Sequence, residues 1–258
     1  MAVLALLSAK GSPGVTTTAA ALASAAASNG GGDALLVELD PSGGDVAMLC
    51  DRVGEPTLVS LAEELRHSTP TPTVKEHTVD APPGVPAVLA PPGAVEAAGV
   101  IGSLGDRWLP ALRDAAATVV VDAGRWDPQA PTARRMAGAD VVGVVCAATA
   151  PSVEHARRVI DTIRGAARCP LAVLVVGTRP YSGDEIAAVV DVPLAGVLAW
   201  DPRGVGDLWA LGERGRGRRS WLARSAAVAL AGLEAQVPVR SAPVARVVPD
   251  GALGGGVR

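Results

Sequence analysis

A chain of 258 residues is long enough for one large α/β domain or two small ones, and its 49% apolar content can bury a substantial core. A formal charge of −3 argues against a nucleic-acid binder acting through its whole surface, and Cys50, Cys146 and Cys169 match neither a zinc pattern nor a disulfide framework, so a reducing cytoplasm is the expected compartment. The apolar run Ala2–Leu7 is too short for a signal peptide, no stretch reaches the ~18 apolar residues of a membrane span, and with one tyrosine and no phenylalanine the core should be Ala, Val and Leu.

The first predicted strand, Val3–Leu7, runs into Ser8-Ala9-Lys10-Gly11-Ser12-Pro13-Gly14-Val15 and then an alanine-rich helix, Thr16–Ser28. A strand, a glycine-containing loop and a helix start together expose backbone N–H groups at the positive end of a helix dipole, the arrangement that binds phosphate. Thr16 stands where a phosphate-loop hydroxyl would ligate Mg²⁺. The strict pattern G-x-x-x-x-G-K-[ST] is not met, because Ala9 replaces the first glycine and Val15 the lysine. Gly11 and Gly14 do not form the dinucleotide fingerprint G-x-G-x-x-G either, which makes an oxidoreductase remote. The competing structural reading is a plain βα turn with ordinary glycines.

A second strand, Ala34–Leu39, ends in Asp40-Pro41-Ser42-Gly43-Gly44-Asp45. A helix is predicted over Leu58–Leu65, a Pro- and Thr-rich surface excursion over His67–Pro86, and a strand over Ala87–Ala90. Leu104–Ala116 reads as a helix that Pro110 would kink or shorten. The strand Thr118–Asp122 ends in a carboxylate at the edge where a Mg²⁺-holding aspartate is expected. Helices Thr132–Ala137, Val153–Ala167, Gly183–Val190 and Ser220–Ala235 then alternate with strands Val141–Ala147, Leu171–Val176 and Leu194–Leu198. Continuous apolar strands alternating with helices predict a doubly wound, mostly parallel α/β sheet with helices on both faces. One domain over residues 1–237 and a disordered tail over 238–258 are expected.

Taken in order, these segments resemble the ParA/MinD family of P-loop ATPases (the SIMIBI class). Its deviant Walker A loop, K-G-G-x-G-K-[ST]-T, is matched by Lys10, Gly11, Gly14, Thr16 and Thr17, with Ser12 and Val15 as departures. Glu38-Leu39-Asp40-Pro41 resembles the family's D-x-D-P segment, Thr118–Asp122 its Walker B strand, and Gly138–Val145 a further family strand. Thr178 falls where the family often has an adenine-contacting asparagine, and Ala199 replaces a family proline. Within the family the chain is most similar to MinD/CpaE-like proteins of high-GC bacteria.

The resemblance implies ATP or ADP with Mg²⁺ as cofactors. It places Lys10, Gly11, Ser12, Pro13, Gly14, Val15, Thr16, Thr17 and Thr178 around the nucleotide, and Thr16, Asp40 and Asp122 around the metal. Asp40 would position the attacking water, and Lys10 would reach phosphate across a nucleotide-dependent homodimer that also engages a protein partner. The implied role is a switch in septum or chromosome positioning or in Tad-type pilus assembly. Losing the lysine at Val15 weakens nucleotide binding about ten- to a hundred-fold and slows hydrolysis more. The alternative is a catalytically inactive scaffold. The arginines of Arg214–Arg224 read first as a solvated basic loop, with weak contact to DNA or an anionic membrane as the second reading. His67, His77 and His155 are given no role beyond the surface, and the tryptophans are expected to pack.

Overall fold

The computed structural model describes residues 1–10, 13–28, 33–51, 57–68, 73–81, 84–166, 169–210 and 220–238. The tail beyond 238, Gly11, Ser12 and the arginines at 214–219 lie outside the described residues.

Eight strands form one sheet: β1 (Ala2–Ser8), β2 (Ala34–Glu38), β3 (Val79–Ala81), β4 (Val85–Val88), β5 (Thr118–Arg125), β6 (Val141–Ala147), β7 (Leu171–Val176) and β8 (Leu194–Leu198). Their order is β3-β4-β2-β5-β1-β6-β7-β8, parallel except for β3, which pairs antiparallel with β4. The strands are apolar on both sides because helices cover both faces. One face carries α3 (Thr57–His67), α4 (Ala94–Ser103), α5 (Trp108–Ala115), α6 (Pro131–Met136), α7 (Ala150–Ala166) and α8 (Gly183–Val190). The other carries α1 (Val15–Ser28), the single turn α2 (Val46–Leu49), α9 (Pro202–Trp209) and α10 (Trp221–Glu234). The predicted doubly wound architecture is the one observed.

Small side chains set the spacing on the second face. Nine residues of α1 are buried, six of them alanine, so α1 packs close to the sheet and to α10. A Cβ on Gly196 of β8 would come within 2.7 Å of the Ala229 backbone in α10, and one on Gly232 would run into the Ala195 carbonyl. Gly196→Ala is therefore expected to lose at least about 1–3 kcal/mol, since the obstacle is backbone and cannot rotate away. Urea unfolding checks this, and an unchanged midpoint would contradict the packing. At the N-terminal ends of the central strands, buried Asp140 accepts from Val3 N–H (2.8 Å) and from both terminal nitrogens of Arg113 (2.6 and 2.9 Å), pinning β1, β6 and α5 together.

The sequence reading needs correction at four places. The excursion over 67–86 is partly ordered: a 3-10 turn (Val74–His77) and β3 fold back, anchored by buried Val74 and Ala81. His77 is not a surface histidine, since its ring bridges Ser60 Oγ (2.8 Å) and Glu64 Oε2 (2.5 Å) on α3. The helix expected over 104–116 starts at Trp108, which puts Pro110 in the first turn, where its missing N–H costs nothing. Helices α4 and α9 were not expected; α9 starts at Pro202 behind an Asp201 cap that accepts from Gly204 N–H (2.9 Å).

Candidate functional site

β1 lies at the centre of the sheet between β5 and β6, so the loop after it opens at the C-terminal edge beside the end of β5. Gly14 adopts φ +83, a left-handed conformation that turns the chain into α1, and its carbonyl accepts from Thr18 N–H (2.9 Å). The N–H groups of Val15, Thr16 and Thr17 precede the first such bond and have no acceptor within the helix, which leaves them for an anion. Pro13 is buried, Gly14 exposed, and Thr16 and Thr17 half-buried. Lys10 is exposed and forms no ion pair among the described residues.

Val15, the residue at the missing-lysine position, is 7% exposed and belongs to the core under α1. It contributes no charge and does not reach into the loop as a polar group would.

Opposite the loop, Asp122 is 1% exposed. Its carboxylate accepts from Gly124 N–H (3.0 Å), and the Thr16 side chain lies near enough to lower its pKa. Burial pushes its pKa up to about 6, the nearby Thr16 side chain and the Gly124 N–H pull the other way, and Asp40 and Asp45 add repulsion. Asp40, half-buried at the end of β2, accepts from Ser42 N–H (2.7 Å) and lies against Gly124, where φ is +62 and a Cβ would collide with the Asp40 carboxylate. Thr16, Asp40 and Asp122, the three predicted metal ligands, are thus brought to one place. A hydroxyl with two carboxylates, one buried without a cation among the described residues, is a donor set that fits Mg²⁺. The phosphate cradle fits in part, through Gly14 and the helix start, but lacks the lysine.

Glu38, at the position of the D-x-D-P segment's first acid and expected to be structural rather than catalytic, has partners that the sequence did not identify. It stands beside Asp122 in the β2–β5 register and is 2% exposed. Its Oε1 accepts from Asp45 N–H and Val46 N–H (both 2.9 Å), and its Oε2 from Ala90 N–H (3.1 Å). Burial raises its pKa to about 7 against those bonds, with repulsion from Asp122 adding to the rise. Glu38 therefore fixes the course of the Asp40–Asp45 turn over the end of β4. Gly44 is required there because a Cβ would meet the Ala90 carbonyl oxygen at 2.6 Å and Glu38 Oε2 at 2.7 Å. An acid inside an otherwise apolar strand was the available signal.

Thr178 is exposed after β7, two strands from β1 on the same edge, and is not part of the Thr16–Asp40–Asp122 cluster. A cleft of about 260 Å³ between α6 and α7, lined by Trp126, Met136 and Ile163, is mostly apolar and carries no comparable set of acids.

No protein-family model matches the sequence, and neither does any curated protein. Solved structures do match by shape. A ParA family ATPase from Chlorobium tepidum TLS superposes with a TM-score of 0.73 at 14% identity, covering 89% of this chain and 98% of that one. The MinD cell division protein of Aquifex aeolicus gives 0.66 at 16% identity, covering 93% and 100%. The septum site-determining protein MinD from Pyrococcus horikoshii OT3, solved in complex with Mg-ADP, gives 0.67 at 20% identity, covering 89% and 94%. The central phosphate-loop position, the strand order and these superpositions agree: the chain has the fold of the ParA/MinD ATPases.

Proposed function

We propose that the chain is a member of the ParA/MinD family working as a nucleotide-dependent switch for positioning or assembly, with ATP or ADP and Mg²⁺ as its ligands. The observation that carries this is buried Asp122 at the mouth of the loop, held by Gly124 N–H with the Asp40 carboxylate against the same Gly124 and the Thr16 side chain close by. A chain under no demand to hold a metal would have no reason to keep buried Asp122 beside Glu38 and Asp40. Mg²⁺ bound there would supply the positive charge that the acid cluster lacks. Thr16 and Asp122 are the residues to hold it, Asp40 the one to orient a water, and the α1 start the one to receive phosphate.

Binding is weakened, because Val15 brings no charge to the phosphates. Hydrolysis is slower still, since removing one preorganised stabiliser of the transition state costs roughly 10²–10³ in rate. Lys10, exposed on the loop, is free to reach the phosphates of a second copy, so the active form is a nucleotide-dependent homodimer that engages a protein partner. Septum or chromosome positioning and Tad-type pilus assembly are the processes proposed.

One observation favours a second reading, an inactive scaffold: Val15 is absorbed into the core rather than left at the loop surface. Light scattering separates the two. With millimolar Mg·ATP the mass is expected to rise from one chain to two, with Lys10→Ala remaining a single chain. A mass indifferent to nucleotide contradicts the switch and leaves the scaffold.

A further inference from the structure

The whole aromatic complement is five tryptophans and one tyrosine. Trp108 is buried, and Trp126 and Trp209 are half-buried. The other three, Tyr181, Trp200 and Trp221, are 40%, 78% and 70% exposed. These three do not scatter. Tyr181 follows β7 and Trp200 follows β8, two strand ends joined by Gly177 N–H donating to Leu198 O (2.9 Å). Trp221 opens α10, which is tied to the same edge: Ala199 N–H donates to Ser225 Oγ (3.0 Å). The carboxylate of Asp201, the residue after Trp200, accepts from the N–H of Leu222, the residue after Trp221 (3.2 Å). The ends of β7 and β8 and the start of α10 therefore meet at the sheet's C-terminal edge, with Trp200 and Trp221 next to residues joined through Asp201 and Tyr181 following the neighbouring strand end.

Each ring has an exposed arginine within three residues in sequence: Arg179 with Tyr181, Arg203 with Trp200, and Arg224 with Trp221. The Arg224 guanidinium stacks on the Trp221 indole at 4.2 Å. Asp201 stays ionised, its pKa lowered chiefly by the Gly204 N–H bond, and its charge is spent on backbone N–H groups at the starts of α9 and α10. Asp184 and Glu185 sit in the first turn of α8, where the Ser182 cap engages Glu185.

We propose that this corner binds single-stranded nucleic acid, with Trp200, Trp221 and Tyr181 as stacking faces and Arg179, Arg203 and Arg224 on the phosphates. Exposed rings interleaved with arginines suit unstacked bases on a polyanion, because every base offers a π-face and the backbone offers the charge. Duplex DNA satisfies the arginines but keeps its bases stacked away from the rings. An anionic bilayer fits less well, since Trp221 cannot sink among acyl chains without carrying the Arg224 charge with it. The inference is independent of whether the phosphate loop binds nucleotide.

The test uses the full chain with a short fluorescein-labelled oligothymidylate, the matched duplex, and vesicles rich in phosphatidylglycerol, followed by anisotropy and tryptophan fluorescence. Oligothymidylate is expected to bind at least about tenfold more tightly than duplex at equal salt, with affinity falling steeply as salt rises. Trp200→Ala and Trp221→Ala should each weaken it about fivefold or more, by the usual strength of base–aromatic stacking, while leaving the melting temperature unchanged. Equal affinity for duplex with tryptophan variants that bind like the parent would show a surface that reads charge alone, and would overturn the proposal. So would binding to vesicles without binding to oligothymidylate, or binding to none of the three.

Discussion

Glu38→Ala is expected to lose about 3 kcal/mol or more of folding stability, a larger effect than removal of any exposed acid. The carboxylate is buried and receives three backbone N–H groups, from Asp45, Val46 and Ala90. Each N–H left without an acceptor costs about 1–3 kcal/mol. Relief from burying an acid whose pKa has risen to about 7 returns part of that. Glu38→Gln should cost less, because one oxygen can keep the Asp45 and Val46 bonds and only the Ala90 bond is lost. Urea unfolding at pH 7 measures both. A loss below about 1 kcal/mol for Glu38→Ala, or a reversed order of the two variants, would show that Glu38 does not hold the turn.

The second large effect is a stability that declines from mildly acidic to basic pH and is restored by Mg²⁺. Glu38 and Asp122 have folded pKa values near 7 and 6, raised from 4.5 and 3.8 chiefly by burial. The folded state therefore holds these protons more tightly than the unfolded state does. The stability they confer is complete below about pH 4 and is lost as pH rises through 6 and 7. Shifts of this size correspond to about 3 kcal/mol per group at most, and the two groups are not additive because they repel each other. Glu154, Glu185 and Asp201 have lowered values and act the opposite way, adding stability as pH rises out of the acid range. Together these place the optimum near about pH 5. Millimolar Mg²⁺ should raise the melting temperature more at pH 8 than at pH 5, because the deprotonated cluster is the form that binds a cation. Asp122→Asn should flatten both dependences. A melting temperature that rises steadily from pH 5 to 8, or that ignores Mg²⁺ at pH 8, would contradict the reading of this cluster as a metal site.

Much of the site was legible because its parts are short-range. A strand, a glycine turn and a helix start are contiguous, so the placement of Gly14 and Thr16 follows from Leu7 to Thr17 read in order. Asp40 follows β2 and Asp122 lies in the last half of β5 opposite Glu38, and parallel strands deliver their C-terminal residues to one edge. What was not legible depends on distant partners. Ala94–Ser103 holds two glycines and three β-branched residues, a poor helix by propensity, and it folds because Ala97 and Ile101 are buried in the core. The eight residues of α9 also contain two glycines and rely on the Asp201 cap, whose carboxylate is shared with α10. The role of Glu38 required Ala90, 52 residues away. The tryptophans were expected to pack on composition alone, and Trp200 and Trp221 depart from that because they follow strand β8 and open helix α10, at an edge that no further element covers among the described residues.

The central claim is that the chain keeps a cation–nucleotide site whose loop has lost one charge. Calorimetric titration of Mg·ATP into the parent and into Val15→Lys tests it most directly. Saturable binding by the parent in the sub-millimolar range is the predicted result, tightened about ten- to a hundred-fold in Val15→Lys, the strength of one charge-assisted hydrogen bond to phosphate. No binding by either protein at millimolar Mg·ATP would contradict the account.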